Sequence, residues 1–140
     1  MMCIFLLPSV HSMAYDENDL LNLKQTKWCS QCDLSDADLS DRNLSHSDLS
    51  FANMSGANLS GTNLSSSVLR STNLSRANLF NADLRKTKLW GTNLSGASLS
   101  GADLTEAQLT SVIGADLTGA KWNKDCTLAR LLIVQNVNKL

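Results

Sequence analysis

The sequence predicts a solenoid, a chain wound repeatedly around a column of leucines. Three observations predict it. First, a large apolar residue recurs every five positions, at Leu34, Leu39, Leu44, Leu49, Met54, Leu59, Leu64, Leu69, Leu74, Leu79, Leu84, Leu89, Leu94, Leu99, Leu104 and Leu109. Second, a small residue sits two places before most of these, as in Ala37, Ala52, Ala57, Thr62, Ala77, Ala82, Ala97 and Ala102. Third, the positions between are filled with Asn, Asp, Ser, Thr and Gly, which favour turns over helix. A period of five fits neither a helix face, nor a half-buried strand, nor a coiled coil. A unit this short cannot bury its leucine alone, so copies must stack above and below it.

The repeated phrase, A-[D/N]-L-S-x, resembles that of the pentapeptide-repeat family, and it covers most of the chain. The resemblance implies an all-β fold, a right-handed quadrilateral β-helix with four pentapeptides to each square coil. It also implies that the Leu and the small residue point inward while the other three face water. Residues 20 apart then lie one above the other, with coils about 4.8 Å apart. Columns read at that spacing agree: Ala37, Ala57, Ala77 and Ala97 form one small column, and Leu39, Leu59, Leu79 and Leu99 one leucine column. Ser47, Ser67, Thr87 and Ala107 stay small, and Ser35, Ser55, Ser75 and Ser95 form an outward serine column. Arg42 conflicts, since it stands at an inward small position; near an open end its stem can snorkel to water, with a local distortion of the coil expected there.

In chain order, residues 1–14 are expected to be an export signal. A short apolar run ends at Pro8, and Ser12-Met13-Ala14 reads as a cleavage site, although no positive start precedes it. Residues 15–29 are expected to form an N-terminal capping helix. Asp16 serves as its N-cap, Glu17 and Asp19 suit its first turn, and Lys24 and Lys27 its last. Leu20 and Leu23 share a face, and the helix together with Trp28 is expected to cover the open end of the solenoid. Cys29 and Cys32 form Cys-x-x-Cys; Cys32 fills an inward small position, and the pair is expected to be buried, as a disulfide if the chain is exported.

The β-helix is assigned to residues 30–122. Its outward aromatic residues stand out. Phe51, Arg70 and Trp90 fall on one side, with Arg70 expected to stack on the indole of Trp90, and Phe80 projects from another side. Together they make a candidate interaction surface, because exposed aromatics beside Arg are frequent in binding hot spots. Lys86 and Glu106 share a column as a surface ion pair. The register is expected to break after Leu109, with Val112-Ile113-Gly114 as an insert that forms a bulge or loop. Residues 123–140 are read as a C-terminal cap or tail.

Composition narrows the function classes. Twelve basic and 13 acidic residues leave the chain near neutrality, which argues against a strong drive toward nucleic acid or anionic membrane. No apolar run reaches the length of a membrane helix. The chain holds two His, His11 and His46, and no Gly-rich phosphate loop, His-Glu-x-x-His or Ser–His–Asp set. No enzyme activity, cofactor, metal or small-molecule substrate is therefore expected. The expected role is a non-catalytic scaffold for a protein partner, exported if residues 1–14 are a signal and cytoplasmic otherwise, with a homodimer open. The alternative, implied by some members of the family, is a DNA mimic acting on a type II topoisomerase. Against it stand the basic residues Arg70, Arg76, Arg85, Lys86 and Lys88 in mid-chain.

Overall fold

A computed structural model describes residues 15–122 of the chain. The expected signal and the expected C-terminal cap lie outside the described residues. The five-residue phrase folds as a short outward segment and a corner. In each repeat up to Leu104 the N–H of the small residue donates to the carbonyl of the preceding large one, as from Ala37 to Leu34 (3.2 Å) and from Ala57 to Met54 (3.2 Å). The third residue of each such turn has positive φ, for instance 55° at Asp36, 59° at His46 and 70° at Gly56. A turn closed over three residues with positive φ at its third is type II, where Gly is free of steric cost. Of the 7 glycines, six stand at this position: Gly56, Gly61, Gly91, Gly96, Gly101 and Gly119.

Each 20 residues make four such corners and return the chain above itself. Asp33 bridges Asn53, Asp38 bridges Asn58, Asn43 bridges Asn63 and Asp48 bridges Val68, all parallel, and the pattern repeats upward. The coil thus has four sides. The first carries Asp33, Asn53, Asn73 and Asn93; the second Asp38, Asn58, Asn78 and Ser98; the third Asn43, Asn63, Asp83 and Asp103; the fourth Asp48, Val68, Lys88 and Gln108. The β character is reduced to these isolated bridges, because a corner every five residues leaves no room for a ladder to extend.

The inward leucines and Met54 form one continuous core with the Ala column. Buried hydroxyls are paired within it, except the Ser47 Oγ, which meets no partner among the described residues. Thr62, Thr72 and Thr92 donate across coils to the carbonyls of Leu39, Leu49 and Leu69, whereas Ser67 and Thr87 donate within their own coil to Leu64 and Leu84. Arg42 does snorkel: its side chain is exposed, while its backbone keeps the corner bond to Leu39 (3.4 Å) and the coil bond from Asn63 (2.9 Å). That corner bond is no longer than the one from Cys32 to Cys29, also 3.4 Å.

The helix α1 spans Glu17–Thr26. Asp16 caps it, accepting from the N–H groups of Asn18 and Asp19, and Lys27 ends it in the left-handed conformation. Leu23 is fully buried against the first coil, Leu20 packs beside it, and Leu21 is exposed. The lower edge of the first side is met by polar groups of the helix start: the Asp33 N–H donates to the Asp19 carboxylate (2.8 Å) and its carbonyl accepts from the Asp16 N–H (3.0 Å). The ammonium of Lys27 reaches the Ser45 carbonyl at 3.1 Å.

Three expectations are corrected. Trp28 is no part of a cover; it bridges Asp48 on the fourth side and is 68% exposed. The repeat in fact begins there, since Cys29 N–H bonds Asp48, Gln31 has a φ of 66° and Cys32 N–H bonds Cys29. A Cys in the leucine position hides that first repeat. Second, nothing is inserted after Leu109. Val112 stays inward and Ile113 still bridges Asn93 at a spacing of 20, but Lys121 bridges Asp103 at 18. The last coil is two residues short: Gly114 stands alone where the coil below has Leu94, Ser95 and Gly96. A Cβ on Gly114 would lie 2.9 Å from the Ser95 Cα, so the shortcut needs glycine. Third, Arg70 stacks on Phe51 and not on Trp90.

Candidate functional site

The four sides differ in how they close their own hydrogen bonds. On the first side each Asx oxygen accepts from the N–H two residues on, as Asp33 does from Ser35 (3.1 Å) and Asn73 from Ser75 (3.1 Å). The amides then link coil to coil: Asn53 donates to Asp33, Asn73 to Asn53 and Asn93 to Asn73, at 3.2 to 3.3 Å. The second side repeats this with Asn58 to Asp38 and Asn78 to Asn58. The third keeps the short-range bond, and Arg85 replaces Ser there, gripping Asp83 through Nε (2.8 Å) and Nη2 (2.6 Å). This is the turn chemistry expected of Asp and Asn.

These bonds depress the carboxylates. The Ser35, Ser40, Thr105 and Thr118 hydroxyls hold Asp33, Asp38, Asp103 and Asp116 below the ordinary 3.8, and the Arg85 side chain does the same for Asp83.

The fourth side abandons the pattern above Asp48. Val68, Lys88 and Gln108 stand where the Asx acceptor belongs, and Arg70, Trp90 and Thr110 where Ser belongs. Asp48 still accepts from the Ser50 N–H (3.0 Å). Among the described residues, no hydrogen bond reaches the N–H of Arg70, Trp90 or Thr110. In place of the polar ladder the side carries rings and cations. The Arg70 guanidinium lies over the Phe51 ring at 5.9 Å, and the Lys88 ammonium over the Trp90 ring at 5.8 Å. Arg70 therefore reaches down to Phe51 instead of up to Trp90. The Phe51 N–H donates to the Arg70 carbonyl (2.8 Å), which brings that corner directly beneath it, and Lys88 already covers the indole.

Of the candidate surface residues, Phe51, Arg70 and Trp90 share the fourth side, and Phe80 stands apart on the second, where its N–H closes onto Asn78 (3.1 Å). Trp28 and Lys88 join the fourth side and were not foreseen. The signal for Trp28 was its place five residues before Asp33, in register with the Asx positions; for Lys88 it was the loss of Asx two residues before an exposed aromatic. Lys86 and Glu106 do pair at the adjoining corner, at 3.9 Å and both well exposed.

Cys29 and Cys32 occupy the large and the small inward positions of the first repeat. Both are buried, joined through sulfur with their Cα atoms 5.2 Å apart. Among the described residues no group of His, Cys, Asp or Glu is arranged to hold a metal ion, and no helix is long and apolar enough to cross a membrane. His46 is an exposed corner residue with φ of 59°.

The sequence profile of pentapeptide repeats matches the chain in 8 copies, over residues 32–70, 47–85 and 77–119. No curated protein matches it. Among solved structures it is similar to alr5209, a pentapeptide repeat protein from Nostoc Pcc 7120, with 32% identity and a TM-score of 0.58, covering 74% of this chain and 91% of that one. It also aligns with Rfr23, a pentapeptide repeat protein from the cyanobacterium Cyanothece 51142 (26% identity, TM-score 0.40, 77% of this chain and 95% of that one). A third is a pentapeptide repeat protein from the Arabidopsis thaliana thylakoid lumen (24% identity, TM-score 0.36, 78% and 76%). With the profile spanning well over half its length and the turns, columns and bridges all keeping the five-residue register, the chain belongs to the pentapeptide-repeat family.

Proposed function

We propose that this protein is a non-catalytic interaction scaffold that binds a protein partner through the fourth side of its coil. The observation that carries the reading is the break in the polar ladder. Three sides meet their outward N–H groups with Asx oxygens of their own, except at Ser100, and the fourth presents Trp28, Phe51, Arg70, Lys88 and Trp90 instead. Rigid rings with a polar rim are what protein interfaces enrich. The helix α1 is read as the cap of the lower end, since Leu23 covers the core and Asp16 and Asp19 meet the edge at Asp33. Export is proposed from the character of residues 1–14, and a Cys29–Cys32 disulfide would suit that compartment.

Charge runs against mimicry of DNA. Asp33, Asp36, Asp38, Asp41 and Asp48 crowd the first coil, but the coils above are basic at Arg70, Arg76, Arg85, Lys86 and Lys88, so no side is acidic from end to end.

The test is affinity capture from the native host with wild type, a Phe51→Ser/Trp90→Ser variant and a Phe80→Ser variant, followed by binding of the purified pair. The fourth-side variant should lose the partner and the second-side variant keep it. Equal capture by all three would refute the assignment of the side. Mass spectrometry of the mature chain tests export: a start at Tyr15 with Cys29 and Cys32 linked is expected, and an intact Met1 with free thiols would refute it.

A further inference from the structure

The geometry points to a carboxylate-rich, extended protein segment as what the fourth side receives. This rests on the reading of that side as the docking side, and names the chemistry of its occupant. On the other sides the outward N–H of the residue after the large inward one is met by an Asx oxygen of the same chain, as at Ser55, Ser60, Ser65 and Phe80, with Ser100 above Ser98 the exception among the described residues. On the fourth side the N–H groups of Arg70 and Trp90 keep that position and lose the oxygen, because Val68 and Lys88 supply none. These two donors stand one coil apart, about 5 Å. Beside them are two exposed cations, Arg70 and Lys88, neither in an ion pair among the described residues. A carboxylate placed against either N–H takes the missing Asx oxygen's role and meets a cation at the same time. Such charge-assisted bonds are the strong ones. Phe51 and Trp90 flank the donors and give the stem of an acidic side chain an apolar surface.

A nucleic acid strand fits less well. It would bring one phosphate per nucleotide against two unpaired cations, with Asp83, Asp103 and Glu106 on the neighbouring side and corner. A second copy would have to present its acidic first coil, whose Asp36, Asp38 and Asp41 lie around the opposite, second side; that contact is heterologous and would not close.

The experiment follows the backbone amides of the full-length, nitrogen-15-labelled chain by NMR at low salt. Hexaglutamate is the probe, with hexalysine and hexathymidylate as comparisons. Hexaglutamate should move the Arg70 and Trp90 amides downfield together, and hexalysine should not. Arg70→Gln and Lys88→Gln should each weaken the effect about tenfold. Lys88→Asn restores the repeat's own acceptor; it keeps the fold, places the Trp90 amide downfield before any peptide is added, and makes it unresponsive. Stationary Arg70 and Trp90 amides, movement centred on Lys24 and Lys27, stronger binding of hexathymidylate, or shifts that depend only on protein concentration would each overturn the inference. If the fourth-side variant still loses a captured partner while hexaglutamate leaves both amides unmoved, the docking side stands and its carboxylate chemistry falls.

Discussion

The first and fourth sides of this coil share a leucine core, a corner and a backbone register, and differ most in what faces outward. On the first, Asp33, Asn53, Asn73 and Asn93 are bound into a continuous amide ladder. On the fourth, Val68, Lys88 and Gln108 form no ladder, and rings and cations take its place. The inward half of the repeat holds the fold, so the outward half is free to be spent on bonding within the chain or on an exposed surface. The difference teaches where to look on a repeat protein: at the column where the filler residues stop serving the fold.

The comparison breaks first if the core is not common property. Leu79→Ala under the second side and Leu89→Ala under the fourth should cost alike, about 3 kcal/mol each, in urea unfolding followed by circular dichroism. A much cheaper Leu89→Ala would mean that the fourth side is locally loose. Next in size is the ladder. Asn73→Ala removes both a turn acceptor and a link between coils and should cost about 1–2 kcal/mol, whereas Lys88→Ala should stay within about 0.5 kcal/mol. Equal costs would erase the distinction between the sides. At the lower end, Asp19→Ala takes the partner from the Asp33 N–H and should cost about 1 kcal/mol; no loss would argue against the capping role of α1.

Acid sharpens the same contrast with a smaller effect. Asp33, Asp38, Asp83, Asp103 and Asp116 are all held below 3.8 in the folded chain. On lowering the pH the unfolded chain binds these protons first, so their stabilisation is complete above about pH 4 and is lost as the pH falls through the lower folded values. The thermal midpoint should therefore hold steady from pH 7 to pH 5 and decline below 4. A decline that begins near pH 6 would mean that groups other than these carboxylates set the acid limb.

Much of the fold was legible because the five-residue period records a local rule. Each leucine answers to a turn closed three residues on, and the six glycines at the corner already marked where φ turns positive. The helix was equally local, announced by Asp16, the acidic first turn and the lysines at its end. The site was less legible. Phe51, Arg70 and Trp90 could be placed on one side by counting in twenties, but their pairing could not. A long side chain chooses between the ring below and the ring above by backbone offsets of one residue, and Phe51 lies nearer through its bond to the Arg70 carbonyl. Trp28 was misjudged because Cys29 in a leucine position masks the first repeat.

The sequence by itself determined the coil: its period, its inward columns and its corners are set by contacts within three residues or by identical neighbours 20 apart. Tertiary structure decided what happens where that periodicity fails. It let the last coil close two residues short at Gly114, which depends on how closely that backbone can approach Ser95 in the coil below. It also left the N–H groups of Arg70 and Trp90 without acceptors, because a donor goes unmet only when every neighbouring coil has been placed and none brings an oxygen to it.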